Sequence, residues 1–372
     1  MQSSLIILET NNPTIALSQQ AQAPANKAKR RIRFIDAMRG FTMFLVVLGH
    51  IFIFSFDYYE TESVVSSFFI TFRMPMFFFI SGYIGYKAVE RWTPDFYLTN
   101  LRKKAFVQLI PSFIFLFIWC TAKGVDFIAT FIATGANVYW FTEVLFEMFL
   151  VYFTTALISN RVSAKLFDPV LIIVAVATVF ILSFCFHPNA ITGFLSLRAF
   201  CRYFQFFVLG LLCRKYNKKF LAFVTNQRVR TVLLVLFFSL FLLMWQGPWS
   251  ENSIFFKMNH DLVIRYTGLM LVFSLFATHA DYFDLNGRIS RSLQYVGTRT
   301  LDIYLLHYFF LPDLHFLKPY FIHNDNPALE FLLAALLALV VLGLSLTFSA
   351  IIRHSEFLGH CLFGANSERY KF

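Results

Sequence analysis

Charge is what this sequence has least of. Only 14% of its 372 residues are Asp, Glu, Lys or Arg, against about 25% in soluble domains. Mean hydropathy is +0.62, and this excludes an ordinary water-soluble enzyme. Cysteine is nearly as scarce. The five residues (Cys120, Cys185, Cys201, Cys213, Cys361) lie in or beside apolar stretches with no CxxC and no paired loop spacing, so they read as reduced packing residues. No GxxxxGK[ST], HExxH, GxSxG or Gly-rich dinucleotide loop occurs, which removes P-loop, zincin, serine-hydrolase and dinucleotide chemistries. The nine His residues show no close pair at metal-ligand spacing, so no metal is expected. No fixed-period repeat and no Gly/Ser linker divides the chain.

What is there is apolar and aromatic: 58% hydrophobic residues, 51 of them Phe. Residues 1–29 are rich in Gln, Asn, Ala, Ser and Pro, with Lys27 the first cation. They lack the basic start and long apolar core of a secretory signal and read as a disordered cytoplasmic tail. From residue 30 to 355 apolar runs of crossing length recur, at about 34–56, 64–86, 105–122, 138–158, 168–186, 199–213, 229–246, 262–280, 294–314 and 328–352. A short apolar piece, Phe127–Thr134, fits a re-entrant or interfacial segment. Residues 356–372 form a second tail. The expected fold is an all-α, polytopic membrane helical bundle of about ten transmembrane helices with both termini cytoplasmic. Charge supports this count. With the N-terminus inside, the inner segments hold 23 Lys and Arg, and the outer ones hold four: Lys123, Arg198, Lys257 and Lys318. That is the asymmetry of the positive-inside rule. It accounts for the net charge of +11 without a nucleic-acid partner.

Against this background the polar residues inside spans stand out, because a charge at mid-membrane costs about 3 kcal/mol on insertion scales and marks a polar interior or a site. The arginines are Arg39, Arg73, Arg202, Arg265 and Arg299. In the first span, RFIDAMRGFTMFLVVLGH, Arg39 and His50 lie about 20° apart around the helix, with His50 about 16 Å further along, and Asp36 joins the same stripe. The second span holds FRMPMFFFISGY, where Pro75 removes a backbone donor beside Arg73 and predicts an opened helix lining a cavity. The fourth, YWFTEVLFE, opens with Trp140 and places Glu143 and Glu147 on one face at i, i+4. The sixth pairs Arg202 with Gln205. The ninth, YVGTRTLDIYLLH, pairs Arg299 with Asp302 and has His307 about two turns on.

Taken in order, DAMRGFTMFLVVLGH, FRMPMFFFISGY, YWFTEVLF, RYFQFFVLG and YVGTRTLDIYLLH resemble the acyltransferase-3 family of integral-membrane O-acyltransferases, and especially its stand-alone, sugar-acetylating branch, over about residues 31–352. The resemblance implies transfer of an acyl group, often acetyl, from cytoplasmic acyl-CoA to a hydroxyl of a glycan or lipid-linked sugar, in a bacterial plasma membrane and with no bound cofactor. The family's essential Arg and His of the first helix map to Arg39 and His50. Two departures stand in this chain. Many members carry RxxR after the second helix, whereas here LRKKAFVQLIP has Gln108 at the second Arg position. Sugar-acetylating relatives often have His where Arg73 stands.

On this reading His50 is the general base or a transient acyl carrier, and Arg39, further toward the cytoplasm on the same stripe, is the other catalytic residue of the first helix. Glu143 or Glu147 is expected to orient His50, and Arg73 or Arg299 to meet the thioester oxyanion. Arg73, Arg202, Arg299 and Trp140 are the expected substrate-binding residues. Arg102, Lys103 and Lys104 are expected to face the donor's phosphates. A transporter or flippase for a polar or anionic substrate is the alternative that intramembrane arginines allow.

Overall fold

The computed structural model describes residues 32–58, 62–132, 138–182, 193, 195–246, 254–285, 287–324 and 326–364. The expectations for residues 1–29, for Cys185 and for the end of the C-terminal tail lie outside them. Local chemistry sets several helix ends. Ser63 Oγ accepts from Ser66 N at the start of one helix, and Thr93 Oγ1 accepts from Phe96 N at the next, with Pro94 in its first turn. Asn326 Oδ1 caps Leu329 N ahead of Pro327. These are N-cap and first-turn proline signals. Gly124, at φ 66°, ends the second of these helices in the left-handed region, where glycine costs least.

The long elements are α1 Arg33–His50, α2 Val64–Gly85, α3 Pro94–Lys123, α4 Trp140–Val162, α5 Phe167–Phe180 and α6 Leu197–Lys215. They continue with α7 Gln227–Gln246, α8 Ile254–Thr278, α9 Arg288–Thr298, α10 Thr300–Leu306 and α11 Pro327–Ile352. No strand occurs among the described residues. A helix therefore stands at each of the ten expected places, the ninth being divided between α9 and α10. Seven of the described helices are long and apolar enough to cross a membrane. The outer helices invert the soluble pattern: Ile173 and Val176 on α5, Leu243 on α7 and Leu339 on α11 are all more than half exposed. Such apolar faces require a lipid surrounding, so the chain is a multi-pass membrane protein.

Arg33 onward forms one compact unit, and glycine pairs set how closely its central helices approach. A Cβ on Gly82 would lie 2.1 Å from the Phe207 carbonyl oxygen, and one on Gly210 would lie 2.0 Å from that of Phe79. The α2–α6 contact is thus backbone to backbone. The α1–α9 contact repeats the arrangement with Gly40 against Leu293 (2.0 Å) and Gly297 against Asp36 (1.8 Å). Small residues do this in lipid because close packing, not water exclusion, drives helix association there.

Polar contacts sort the connections into two ends. At the basic end Arg33 donates to the Asp284 carbonyl (2.6 Å), Asn160 to that of Trp92 (3.0 Å), Lys215 to Asp168 (2.7 Å) and Arg230 to Thr278 (2.9 Å). At the opposite end Lys318 donates to the Asp57 carbonyl (2.6 Å), Leu314 N to that of Ser55 (2.9 Å) and Ser63 to Glu330 (2.7 Å). Each contact joins segments that the charge alternation puts on one side.

One expectation changes. Pro75 is buried inside an unbroken α2, as packed membrane helices tolerate. The interruptions lie elsewhere. A π-helical turn, Ile51–Ser55, follows His50, and Arg299, at φ −115° and ψ 18°, separates α9 from α10. The apolar piece before α4 is a short helix, Phe127–Ile132, whose Phe127 and Phe131 lie against Phe117 and Phe113 of α3. Past α11, Glu356–Phe363 forms a further helix packed on α3 through Phe106–His360 and Phe115–Phe363 ring contacts.

Asp302 anchors α10 to α11. It is 1% exposed and accepts two bonds from Arg353 (2.7 and 2.8 Å) and one from Ser349. Arg299 lies 3.6 Å away.

Two outcomes follow from this packing. Gly210→Val should lower stability by about 3 kcal/mol or more, because the opposing atom is backbone and cannot step aside. Asp302→Ala should cost a similar amount by leaving two arginines without their counter-charge. Thermal unfolding of the purified variants in detergent checks both, and parental melting in either case would disprove its contact.

Candidate functional site

Arg39 and His50 of the first helix's polar stripe face inward. A cavity of about 200 Å³ lies among α1, α2, α3, α4 and α10, and Arg39, His50, Lys104 and Trp140 all line it. Gln108, Thr142, Ser81, Thr300, Tyr304 and Tyr308 add polar groups, and Met43, Val46, Met74, Phe77, Val107, Leu145 and Phe149 make most of the remaining wall. A narrow apolar slot with a few convergent polar groups is the usual form of a small-molecule site.

Its basic end is built by Arg39 and Lys104. Arg39 Nη2 donates to Thr300 Oγ1 (2.8 Å), and Nη1 lies 3.6 Å from Asp36 Oδ1. Lys104 Nζ sits 3.6 Å from the Phe149 ring centroid, a cation–π seat, within electrostatic reach of Arg39, Lys87 and Lys103.

The other end holds His50, whose hydrogen bonds assign its ring nitrogens. His307 Nδ1 lies 2.9 Å from the Ile303 carbonyl oxygen. A carbonyl only accepts, so that nitrogen carries the proton. His307 Nε2 is then left to accept, and it lies 2.7 Å from His50 Nδ1. His50 Nδ1–H therefore donates, and its Nε2 presents a lone pair. The two rings are within 9° of coplanar orientation. Tyr308 Oη is 3.4 Å from that Nε2, too long for a strong bond, and its own proton goes to the Val138 carbonyl (3.0 Å). The arrangement yields one oriented, basic nitrogen beside a cavity.

Arg73 lies behind this end, outside the described cavity lining. Its side chain is buried and packs directly on the α1 backbone. A Cβ at Gly49 would lie 1.3 Å from Arg73 Nη1. The guanidinium thus reaches the segment that carries His50, and its field acts on both His50 and Tyr308.

Other expected site residues fall elsewhere. The partner of His50 Nδ1 is His307, not Glu143 or Glu147. Those two glutamates lie on α4 outside the described cavity lining, because the face of α4 that meets the slot carries Thr142, Leu145 and Phe149. Glu147 lies near Cys201 of α6 instead. Arg299 faces Asp302 and the Tyr295 ring, away from the lining, so Arg73 is the arginine beside His50. Arg202 is also outside the lining; its carbonyl accepts from Gln205, which Tyr266 of α8 bonds in turn. Arg102 and Lys103 are exposed, since the face of α3 that meets the slot carries Lys104, Val107 and Gln108. The four described cysteines are free, three of them buried.

His307, Tyr308, Gln108 and Gly49 were missed as site residues. The sequence signal for His307 was present, an imidazole two turns past an intramembrane arginine, but its partner lies 257 residues away. Gly49 carried no signal of its own, because its role is the space it leaves.

A comparison with family models matches residues 32–354 to the acyltransferase-3 model, described as an acyltransferase domain. No curated protein and no solved structure matches the chain. The match spans every helix that lines the cavity, and the chain belongs to the acyltransferase-3 family of membrane acyltransferases.

Proposed function

We propose that the protein is an acyl-CoA-dependent O-acyltransferase of the bacterial plasma membrane, with acetyl-CoA as donor and a hydroxyl of a glycan or lipid-linked sugar as acceptor. The observation that carries this reading is the lone pair on Nε2 of His50, aimed by His307, at one end of a cavity whose other end is lined by Arg39 and Lys104. By the positive-inside rule the basic end is cytoplasmic, so both termini are inside and the donor enters there. Its phosphates meet Arg39 and Lys104, with Arg102 and Lys103 on the exposed side of the same helix. The donor is a substrate, and the reading needs no resident cofactor. Membership of an acyltransferase family favours this over the transporter alternative.

In the reaction, His50 Nε2 takes the proton of the acceptor hydroxyl as its oxygen attacks the thioester carbonyl. The carbonyl electron pair moves onto oxygen, and the Arg73 guanidinium, seated behind the lining beside His50, steadies the developing charge through its field. Collapse re-forms the carbonyl and breaks the C–S bond. The thiolate recovers the proton from His50, leaving an ester and free coenzyme A. The bond from His50 Nδ1–H to His307 holds the imidazole in the required tautomer throughout, much as an acidic partner does in hydrolase triads.

His50→Ala should abolish transfer while the protein still inserts and folds. Release of free coenzyme A thiol by purified protein, given acetyl-CoA and an acceptor glycan, measures this, and a parental rate would reject the reading. His307→Ala should lower kcat about 10- to 100-fold with little change in KM, the size expected when an orienting partner is lost. Gly49→Ala should displace the Arg73 guanidinium and lower kcat about 100-fold. Arg73→Met should match it, and the double variant should be no slower than either. Additive losses would separate Gly49 from Arg73.

A further inference from the structure

One buried polar group on the cavity wall has no use in the steps above. Gln108 is 6% exposed, and its carboxamide oxygen is buried with no hydrogen-bond partner among the described residues. Leaving a buried amide unpaired costs about 1–3 kcal/mol, and such groups call for an explanation. The neighbouring described residues do not supply one. Ser112 Oγ bonds the Gln108 backbone carbonyl (2.8 Å) and Thr142 Oγ1 (2.6 Å), not the side chain. Met43, Val46, Val107 and Leu145, which share the cavity wall, have no side-chain donor to offer.

Position indicates what the amide faces. Gln108 lies one turn beyond Lys104 on α3, on the same face and about 6 Å further from the basic end. His50 lies about 16 Å beyond Arg39 on α1, which runs in the same direction. Along the slot the order is therefore two cations, then a lone carboxamide, then an imidazole. Coenzyme A thioesters have the matching order: phosphates, then an arm whose only strong hydrogen-bonding groups are a hydroxyl and two secondary amides, then the thioester.

Resting on the acyl-CoA reading above, we propose that the Gln108 side chain is a donor-specificity residue, whose oxygen accepts a hydrogen bond from a pantetheine amide N–H and so sets the depth at which the thioester stops. The residue forms no bond to reacting atoms. It selects a donor whose arm carries an amide at that depth, and it exchanges an unpaired buried acceptor for a paired one only when that donor is in place.

The test is calorimetric binding of coenzyme A to the full-length protein in nanodiscs, without turnover. It compares the parent with Gln108→Met, and coenzyme A with an analogue in which esters replace both pantetheine amides. The parent should bind coenzyme A about tenfold more tightly than the analogue, the order of one buried hydrogen bond. Gln108→Met should lose about tenfold for coenzyme A and nothing further for the analogue, and its melting temperature without ligand should be at or above the parent's. Equal affinity of parent and variant for coenzyme A would overturn the assignment, as would equal losses for both ligands. A variant that keeps coenzyme A affinity but loses affinity for acceptor glycan would place Gln108 in the acceptor site instead. Should Gln108→Met fail to fold, the parent's preference between the two ligands still decides, since no preference excludes amide recognition. A parent that binds no coenzyme A would overturn the donor reading itself, and a failure of Gln108 alone would leave that reading intact.

Discussion

The hydrogen bond between two imidazoles, His50 Nδ1 to His307 Nε2 at 2.7 Å, is the constraint on which the site depends. It aims the remaining nitrogen of His50 only because His307 has already committed its other nitrogen to the Ile303 carbonyl. That commitment depends on where α10 sits. The helical path is interrupted at Arg299, and Asp302 then fastens the new segment to α11 through Arg353 and Ser349. The same segment begins with Thr300, which accepts from Arg39. One short helix thus fixes both the cationic and the imidazole ends of the cavity. In an apolar surrounding such a network specifies geometry because any member left unpaired is costly.

Close helix packing and the cavity are two sides of one design. Where glycines oppose backbone, as at Gly82 and Gly210 or Gly40 and Gly297, helices approach until nothing fits between them. Where Gly49 stands, the space is taken by a guanidinium instead. The slot opens on the adjoining face of α1, against α2, α3 and α4, where Met43, Val107 and Leu145 line it. The abundant Phe serves this packing, for example in the Phe68–Phe72–Phe237–Phe241 contacts between α2 and α7.

Intramembrane charges divide by what answers them. Arg265 is answered by Asp261 one turn away (2.8 Å), and Arg299 and Arg353 by Asp302. These pairs are internal supports. Arg39 and Lys104 face the cavity, and Arg73 lies beside the imidazole pair. Sequence spacing puts Arg73, Arg202, Arg265 and Arg299 alike inside spans, so inspection of spans does not separate support from site. That is why Arg299, Arg202, Glu143 and Glu147 looked as eligible as Arg73.

The sequence alone determined whatever is local to one helix or summed over many. Apolar run length against bilayer thickness placed the helices, capping residues set several of their ends, and the 100° turn put Arg39 and His50 on one stripe. Those quantities depend on neighbours within a few residues or on composition. Only the tertiary structure decided that His307 orients His50, that Arg73 rests on Gly49, that Gln108 is buried on the cavity wall and that the ninth apolar run breaks at Arg299. Each of these is a meeting of different helices, and their rotation and depth are set by which small residues let backbones touch and which buried polar groups must find partners, and no single segment contains that information.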